Sequence, residues 1–237
     1  AVGKNTITGD TLGSRTTAVG YGALGTQNFT TATDTYNAAF GFGAGSAVTT
    51  GVENTIIGAN SADALTTGIR NTTLGLGALG SDTKGSRSTA LGYAALNAQN
   101  FTTATNANNV AVGYETGTAI TTGIDNVLIG TNTGDALTDA DFNVAVGKVA
   151  LTADTLGSRS TAIGHGALNV QNFTTATDTY NVAVGYHAGV AITTGTTNVI
   201  VGGVAGDHIT TGFDNVAIGM QAMGTNTHGS KNIAIGT

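Results

Sequence analysis

The chain has 237 residues, 37 of them glycine and none of them proline, cysteine or tryptophan; 9% are charged, and the formal net charge is −6. The lack of cysteine excludes a disulfide framework and a thiolate metal site, and the weakly acidic balance argues against nucleic acid, which requires a basic stripe. No apolar run approaches the ~18 residues of a membrane span, and no signal peptide is visible.

A pentapeptide of the type Asn-Val-Ala-Val-Gly recurs from one end to the other. Its closing glycines are Gly3, Gly20, Gly41, Gly58, Gly75, Gly92, Gly113, Gly130, Gly147, Gly164, Gly185, Gly202, Gly219 and Gly236. They are 17 residues apart, except after Gly20, Gly92 and Gly164, where the interval is 21 and a 72-residue super-repeat begins. Self-similarity at a fixed period marks a repeat architecture. Although the length alone would allow one or two globular domains, residues 1–237 therefore read as one array: a partial super-repeat (1–20), then 21–92, 93–164 and 165–236. The chain starts inside a unit, without Met, and stops just after a unit glycine, which we read as a fragment of a longer fibre.

Each unit opens on a strand. In Asn181-Val182-Ala183-Val184-Gly185 the side chains alternate with period 2, and the register recurs at Val110/Ala111/Val112, Val144/Ala145/Val146, Val216/Ala217/Ile218 and Ile233/Ala234/Ile235. Stacking the copies gives a parallel sheet with a ~4.8 Å repeat. The closing glycine is expected to hold a left-handed or cramped turn. The Asn that opens most strands is expected to form a ladder satisfying turn backbone groups. Asn37, Gly41, Asn109, Gly113, Asn181 and Gly185 represent these turn and ladder roles. Small apolar residues follow three positions after the glycine, as at Ala23, Ala78 and Ala150, and a larger one follows in two coils of four: Val48, Leu65, Ile120, Leu137, Ile192 and Ile209. Thr-Thr-Gly then closes the coil, as at Thr49-Thr50-Gly51 and Thr193-Thr194-Gly195. No 3.6-residue period appears, so no substantial helix is expected. The predicted fold is an all-β, repetitive parallel β-solenoid or β-roll.

Both faces of the Val-Ala-Val strand are apolar, whereas a solvated strand alternates apolar with polar. We expect the Ala face, which also carries Ile56, Leu128 and Ile200, to point outward around a symmetry axis in a parallel homotrimer. A self-contained coil and an intertwined trimer both remain open. At ~4.8 Å per coil they would be ~62 Å and ~190 Å long.

Strings such as Asn126-Val127-Leu128-Ile129-Gly130, and Asn181-Val182-Ala183-Val184-Gly185-Tyr186 followed by Ile192-Thr193-Thr194-Gly195, resemble the NTAIG-type repeats of bacteriophage tail-fibre proteins and bacterial surface proteins. They are also similar to the head repeats of trimeric autotransporter adhesins, which form a left-handed β-roll in a trimer. The resemblance covers the whole chain. It implies an extracellular, cell-surface or virion fibre that partners with itself and contacts a host-surface glycan or protein.

The four extra residues of each long coil lie within 27–36, 99–108 and 171–180. As receptor- or glycan-contacting bulges they nominate Phe29, Tyr36, Phe101, Phe173 and Tyr180; the alternative is that the phenylalanines pack under their own loops. Tyr21, Phe42, Tyr93, Tyr114, His165 and Tyr186 follow their glycines and are read as stacking ladders or as carbohydrate platforms. His165, His187, His208 and His228 share no zinc-type spacing, so no metal and no cofactor is expected. Arg15, Arg87, Arg159 and Lys231 form one 72-residue series and Asp63, Asp135 and Asp207 another. Asn-Phe-Thr at Asn28, Asn100 and Asn172 matches the glycosylation sequence and is read as coincidental. No Gly-x-Ser-x-Gly, His-Glu-x-x-His or P-loop is present, so no enzyme is expected. The leading expectation is the structural shaft of an attachment fibre. A self-assembling extracellular filament is the alternative, with an ice-binding solenoid, suggested by the threonines, as a third.

Overall fold

A computed structural model describes all 237 residues. The chain is all-β, a parallel β-solenoid without helix, and it falls into two compact units, Ala1–Thr122 and Gly123–Thr237. From Thr17 onward each coil opens on one three-residue strand; the long coils and the coils before them add a two-residue strand, and the rest is turn and bend.

In the first unit the strands Thr17–Val19, Ala38–Phe40, Thr55–Ile57, Thr72–Leu74, Thr89–Leu91 and Val110–Val112 pair in parallel, each with the next. The second unit repeats this with Val127–Ile129, Val144–Val146, Thr161–Ile163, Val182–Val184, Val199–Val201, Val216–Ile218 and Ile233–Ile235. Register is strict: Ala18 faces Ala39, and Ala145 faces Ala162. The long coils obey the same register because their extra residues lie elsewhere.

The strand faces are the reverse of the expectation. The central residue points inward: Ala18, Ala39, Ile56, Thr73, Ala90 and Ala111 are buried, as are Leu128, Ala145, Ala162, Ala183, Ile200 and Ala217. The flanking residues point outward, and Val19, Phe40, Ile57 and Leu74 in the first unit are 36–48% exposed. The interior of a coil this narrow admits little more than a methyl group at most strand centres, so the bulkier Val and Ile go outside.

The core fills by exchange of volume between two positions. Four residues after the glycine stand Leu24, Leu79 and Leu96 in the first unit and Leu151 and Leu168 in the second, all fully buried. Their coils have small strand centres: Ala18, Thr73, Ala90, Ala145 and Ala162. Where a strand centre is large, the partner position shrinks. A Cβ on Gly134 would lie 2.9 Å from Leu128 Cδ2 of the same coil, and one on Gly206 would lie 2.9 Å from Ile200 Cδ1 of the same coil. Interiors pack to crystal density and tolerate such swaps only at constant volume. The leucines adopt left-handed backbone, with Leu24 at φ 48° and Leu79 at φ 54°, at a cost of about 1–2 kcal/mol each. Burial of a Leu side chain, about 1.5–3 kcal/mol, offsets that cost.

The closing glycine is dictated by the neighbouring coil. Gly75 has φ 138°, and a Cβ there would lie 2.2 Å from Gly92 O. Gly41, Gly113 and Gly185 have φ 140–142°. The asparagines form the ladder beside them. Asn37 Oδ1 accepts Asn54 N–H, Asn54 Oδ1 accepts Asn71 N–H, and Asn71 Oδ1 accepts Ser88 N–H, each at 2.9 Å. Asn181, Asn198, Asn215 and Asn232 repeat the chain in the second unit. Except at Asn232, the Nδ2 of these residues reaches across its own coil, as Asn37 does to Gly51 O at 2.8 Å.

Candidate contact surface at the long coils

Seven residues after the glycine, the interior position carries chemistry with a four-coil period. In the first unit it reads Asp10, Gln27, Val48, Leu65, Asp82, Gln99, Ile120; in the second, Leu137, Asp154, Gln171, Ile192, Ile209, Asn226. The Gln always lies in the long coil. The Asp lies in the coil before it.

These pairs bind the base of each insertion. Gln99 Nε2 donates to Asp82 Oδ2 at 2.6 Å and to Ser88 Oγ at 3.1 Å, while Gln99 Oε1 accepts from Asn109 Nδ2 at 2.9 Å. Asp82 Oδ1 takes Gly85 N–H at 2.9 Å and Phe101 N–H at 3.1 Å. Asp154, Gln171, Ser160, Asn181 and Phe173 repeat this set, and so do Asp10, Gln27, Thr16, Asn37 and Phe29. At the strand-opening position of each long coil, Thr16, Ser88 or Ser160 stands in place of Asn, and the Gln amide occupies the space. Such a network belongs in a core only if fully satisfied, and the sole buried side-chain polar atom without a partner in the chain is Thr118 Oγ1. For Asp10, burial pushes the carboxyl upward, but the bonds from Gln27, Gly13 and Phe29 outweigh it and hold it below its ordinary value.

Of the nominated contact residues, the phenylalanines are not on the surface. Phe29, Phe101 and Phe173 are only 5–7% exposed, held by the backbone bond to the Asp and by a second bond, in which Thr11, Thr83 or Thr155 Oγ1 donates to the Phe carbonyl. An aromatic ring left in water forfeits its transfer energy, and here it plugs the coil. The extra residues that do face solvent are Thr30, Thr31 and Ala32, then Thr102, Thr103 and Ala104, then Thr174, Thr175 and Ala176. After each bulge a two-residue strand rejoins the preceding coil: Thr33–Asp34 pairs Gly13–Ser14, Thr105–Asn106 pairs Gly85–Ser86, and Thr177–Asp178 pairs Gly157–Ser158.

Tyr36 and Tyr180 are exposed, 52% each, and sit in a charged corner. Arg15 Nη1 donates to Tyr36 OH at 2.7 Å and Arg15 Nε pairs with Asp34 at 3.1 Å. Arg159 pairs with Asp178 at 3.0 Å, and its guanidinium lies 4.7 Å from the Phe142 ring centroid and 5.9 Å from that of Tyr180. The middle copy has Asn106 and Asn108 in place of the Asp and Tyr. A contact common to all three bulges therefore cannot use the tyrosine.

The ring rows stack as pairs. Tyr21 and Phe42 centroids are 5.4 Å apart, those of Tyr93 and Tyr114 5.2 Å, and those of His165 and Tyr186 5.5 Å. His187 joins the last pair, 4.1 Å from Tyr186. Two further carboxyls, Asp63 and Asp141, are pushed above their ordinary values by burial. Sequence reasoning missed the Asp–Gln interior pairs. Their signal was positional, since they replace Val48 and Leu65 equivalents at 72-residue spacing.

No protein-family model, curated protein or solved structure matches the chain.

Proposed function

We propose that the chain is the structural shaft of an extracellular, cell-surface or virion fibre, self-associated through the outward strand face, that serves attachment to a host or other surface. The observation that carries this reading is that face. Its side chains are Val19, Phe40, Ile57, Leu74, Leu91 and Val112 in the first unit. In the second, both outward positions are apolar at Val127/Ile129, Val144/Val146, Val182/Val184, Val199/Val201 and Val216/Ile218. Contiguous exposed apolar rows of this kind mark interaction sites. An outward sheet face left to water is ordinarily polar. A second copy of the same chain supplies an equally regular apolar row at the same ~4.8 Å spacing, and a trimer of such faces closes without an open edge. The bulges stand ready for a surface glycan or protein. Electrophoresis in dodecyl sulfate without heating tests the reading: a band above the monomer that collapses on boiling supports it, and monomer alone counts against it.

An ice-binding surface is the second reading, favoured by one observation. The residue eight positions after the glycine is Thr or Asn in every coil, as at Thr11, Asn28, Thr49, Thr66, Thr83, Asn100 and Thr121 in the first unit. The insertions fall after this position and leave the row unbroken. Absence of thermal hysteresis and ice shaping would remove it. Micrographs of endless filaments would favour the self-assembling filament instead.

A further inference from the structure

Four Asn-x-Thr sequences occur: Asn28-Phe29-Thr30, Asn71-Thr72-Thr73, Asn100-Phe101-Thr102 and Asn172-Phe173-Thr174. N-linked glycosylation requires the asparagine amide nitrogen and the hydroxyl two residues on. The fold divides the four sharply. Asn71 is fully buried; its Nδ2 donates to Gly85 O at 3.0 Å and its Oδ1 accepts Ser88 N–H at 2.9 Å. Thr73 is buried too, with its hydroxyl bonded to Ser61 at 2.7 Å.

Asn28, Asn100 and Asn172 are exposed. Their backbones are fixed, each N–H donating to a threonine carbonyl of the next coil, Thr49, Thr121 or Thr193, at 2.9–3.1 Å. Asn100 Oδ1 and Asn172 Oδ1 lie 3.1 Å from the Thr83 and Thr155 hydroxyls, whose single proton is shared with the Phe101 and Phe173 carbonyls. The following phenylalanine is buried, and the threonine after it opens the exposed bulge. In all three copies an exposed asparagine and an exposed threonine thus flank a buried, anchored phenylalanine.

We propose that Asn28, Asn100 and Asn172 are acceptor sites for an N-linked sugar on the folded chain, and that Asn71 is not. The co-reactant is a hexose activated at C1 by a phosphate leaving group. The Nδ2–C1 bond forms, the C1–O bond to phosphate breaks, the phosphate leaves with the electron pair, and the amide nitrogen loses one proton. The product would carry a sugar at the base of every bulge, four coils apart, or roughly 19 Å at ~4.8 Å per coil within the first unit.

The test treats the purified, folded chain with UDP-glucose and a soluble asparagine glucosyltransferase, then maps hexose by peptide mass spectrometry. Synthetic peptides spanning the four sequences, which hide nothing, serve as substrates in parallel. The expected result is hexose on all four peptides but, in the folded chain, on Asn28, Asn100 and Asn172 only. Hexose on none of the three while the peptides are accepted would overturn the proposal, as would comparable modification of Asn71 in the folded chain. The triple variant Asn28→Gln, Asn100→Gln, Asn172→Gln should fold with unchanged circular dichroism and take up no hexose. Undiminished uptake by it would overturn the assignment.

Discussion

Gln99 Nε2 lies 2.6 Å from Asp82 Oδ2, with both residues fully buried. The bond has a direction. Asn109 donates to Gln99, Gln99 donates to Asp82, and Asp82 only accepts, taking Gly85 N–H and Phe101 N–H as well. The long coil is therefore keyed to the coil before it by a chain of donors ending on a carboxylate.

That polarity makes a prediction about isosteric change. Asp82→Asn keeps the shape but faces a donor with a donor, and reversing the Gln99 amide moves the conflict to Asn109. A loss of about 1–3 kcal/mol is expected in urea unfolding. Gln99→Ala removes the central link and leaves a cavity, and should cost more, about 3–4 kcal/mol. Equal, near-zero effects for both would show that the network contributes nothing to register.

Two glycines separate steric demand from backbone demand. Gly75→Ala places a methyl group 2.2 Å from Gly92 O at φ 138° and should destabilise by about 3 kcal/mol or more. At Gly22, φ is 67° and nothing lies within 4 Å of an added Cβ. Gly22→Ala should cost only about 1–2 kcal/mol, the ordinary left-handed penalty. Thermal denaturation of the two variants side by side checks the order.

Stability should pass through a maximum on the acid side. Asp63 and Asp141 have folded values raised above the ordinary 3.8. The folded chain therefore binds those protons more tightly, and stability rises as pH falls from neutral towards that value. Asp10 has a folded value below 3.8. Its contribution is present above 3.8 and is lost as pH falls through the depressed value. Urea midpoints measured across this range should rise and then fall. Asp141→Asn should blunt the rise, and Asp10→Asn should blunt the acid loss.

The period, the parallel register, the Asn ladder and the glycine turns were legible because each repeats at fixed spacing and each has one physical solution. The side on which Val182 and Val184 lie was not. Alternation says only that Ala183 faces the other way, and with both faces apolar nothing in the pattern marks the inside. Steric room decides it, and room depends on the coil's width. Leu24 and Leu79 escaped notice for a related reason: they point inward only because their backbone is left-handed, a conformation that sequence pattern assigns to glycine or asparagine. The bulges were visible as four extra residues, but the phenylalanines at their base turned out to be anchors, leaving Thr30, Thr31 and Ala32 as the surface.

The outward face bears the central claim, and charge is the means of testing it. Ile163 and Leu74 are 38% and 48% exposed. An aspartate at either position should leave the coil folded while opposing close contact between copies, because surface substitutions usually change stability by no more than ~0.5 kcal/mol. The decisive measurement is the mass in solution by light scattering of the unaltered chain and of Ile163→Asp. The account predicts three times the 23.3 kDa chain mass for the former and a folded species of lower mass for the latter. A folded monomer for the unaltered chain, with its Val and Ile rows facing water, would contradict it.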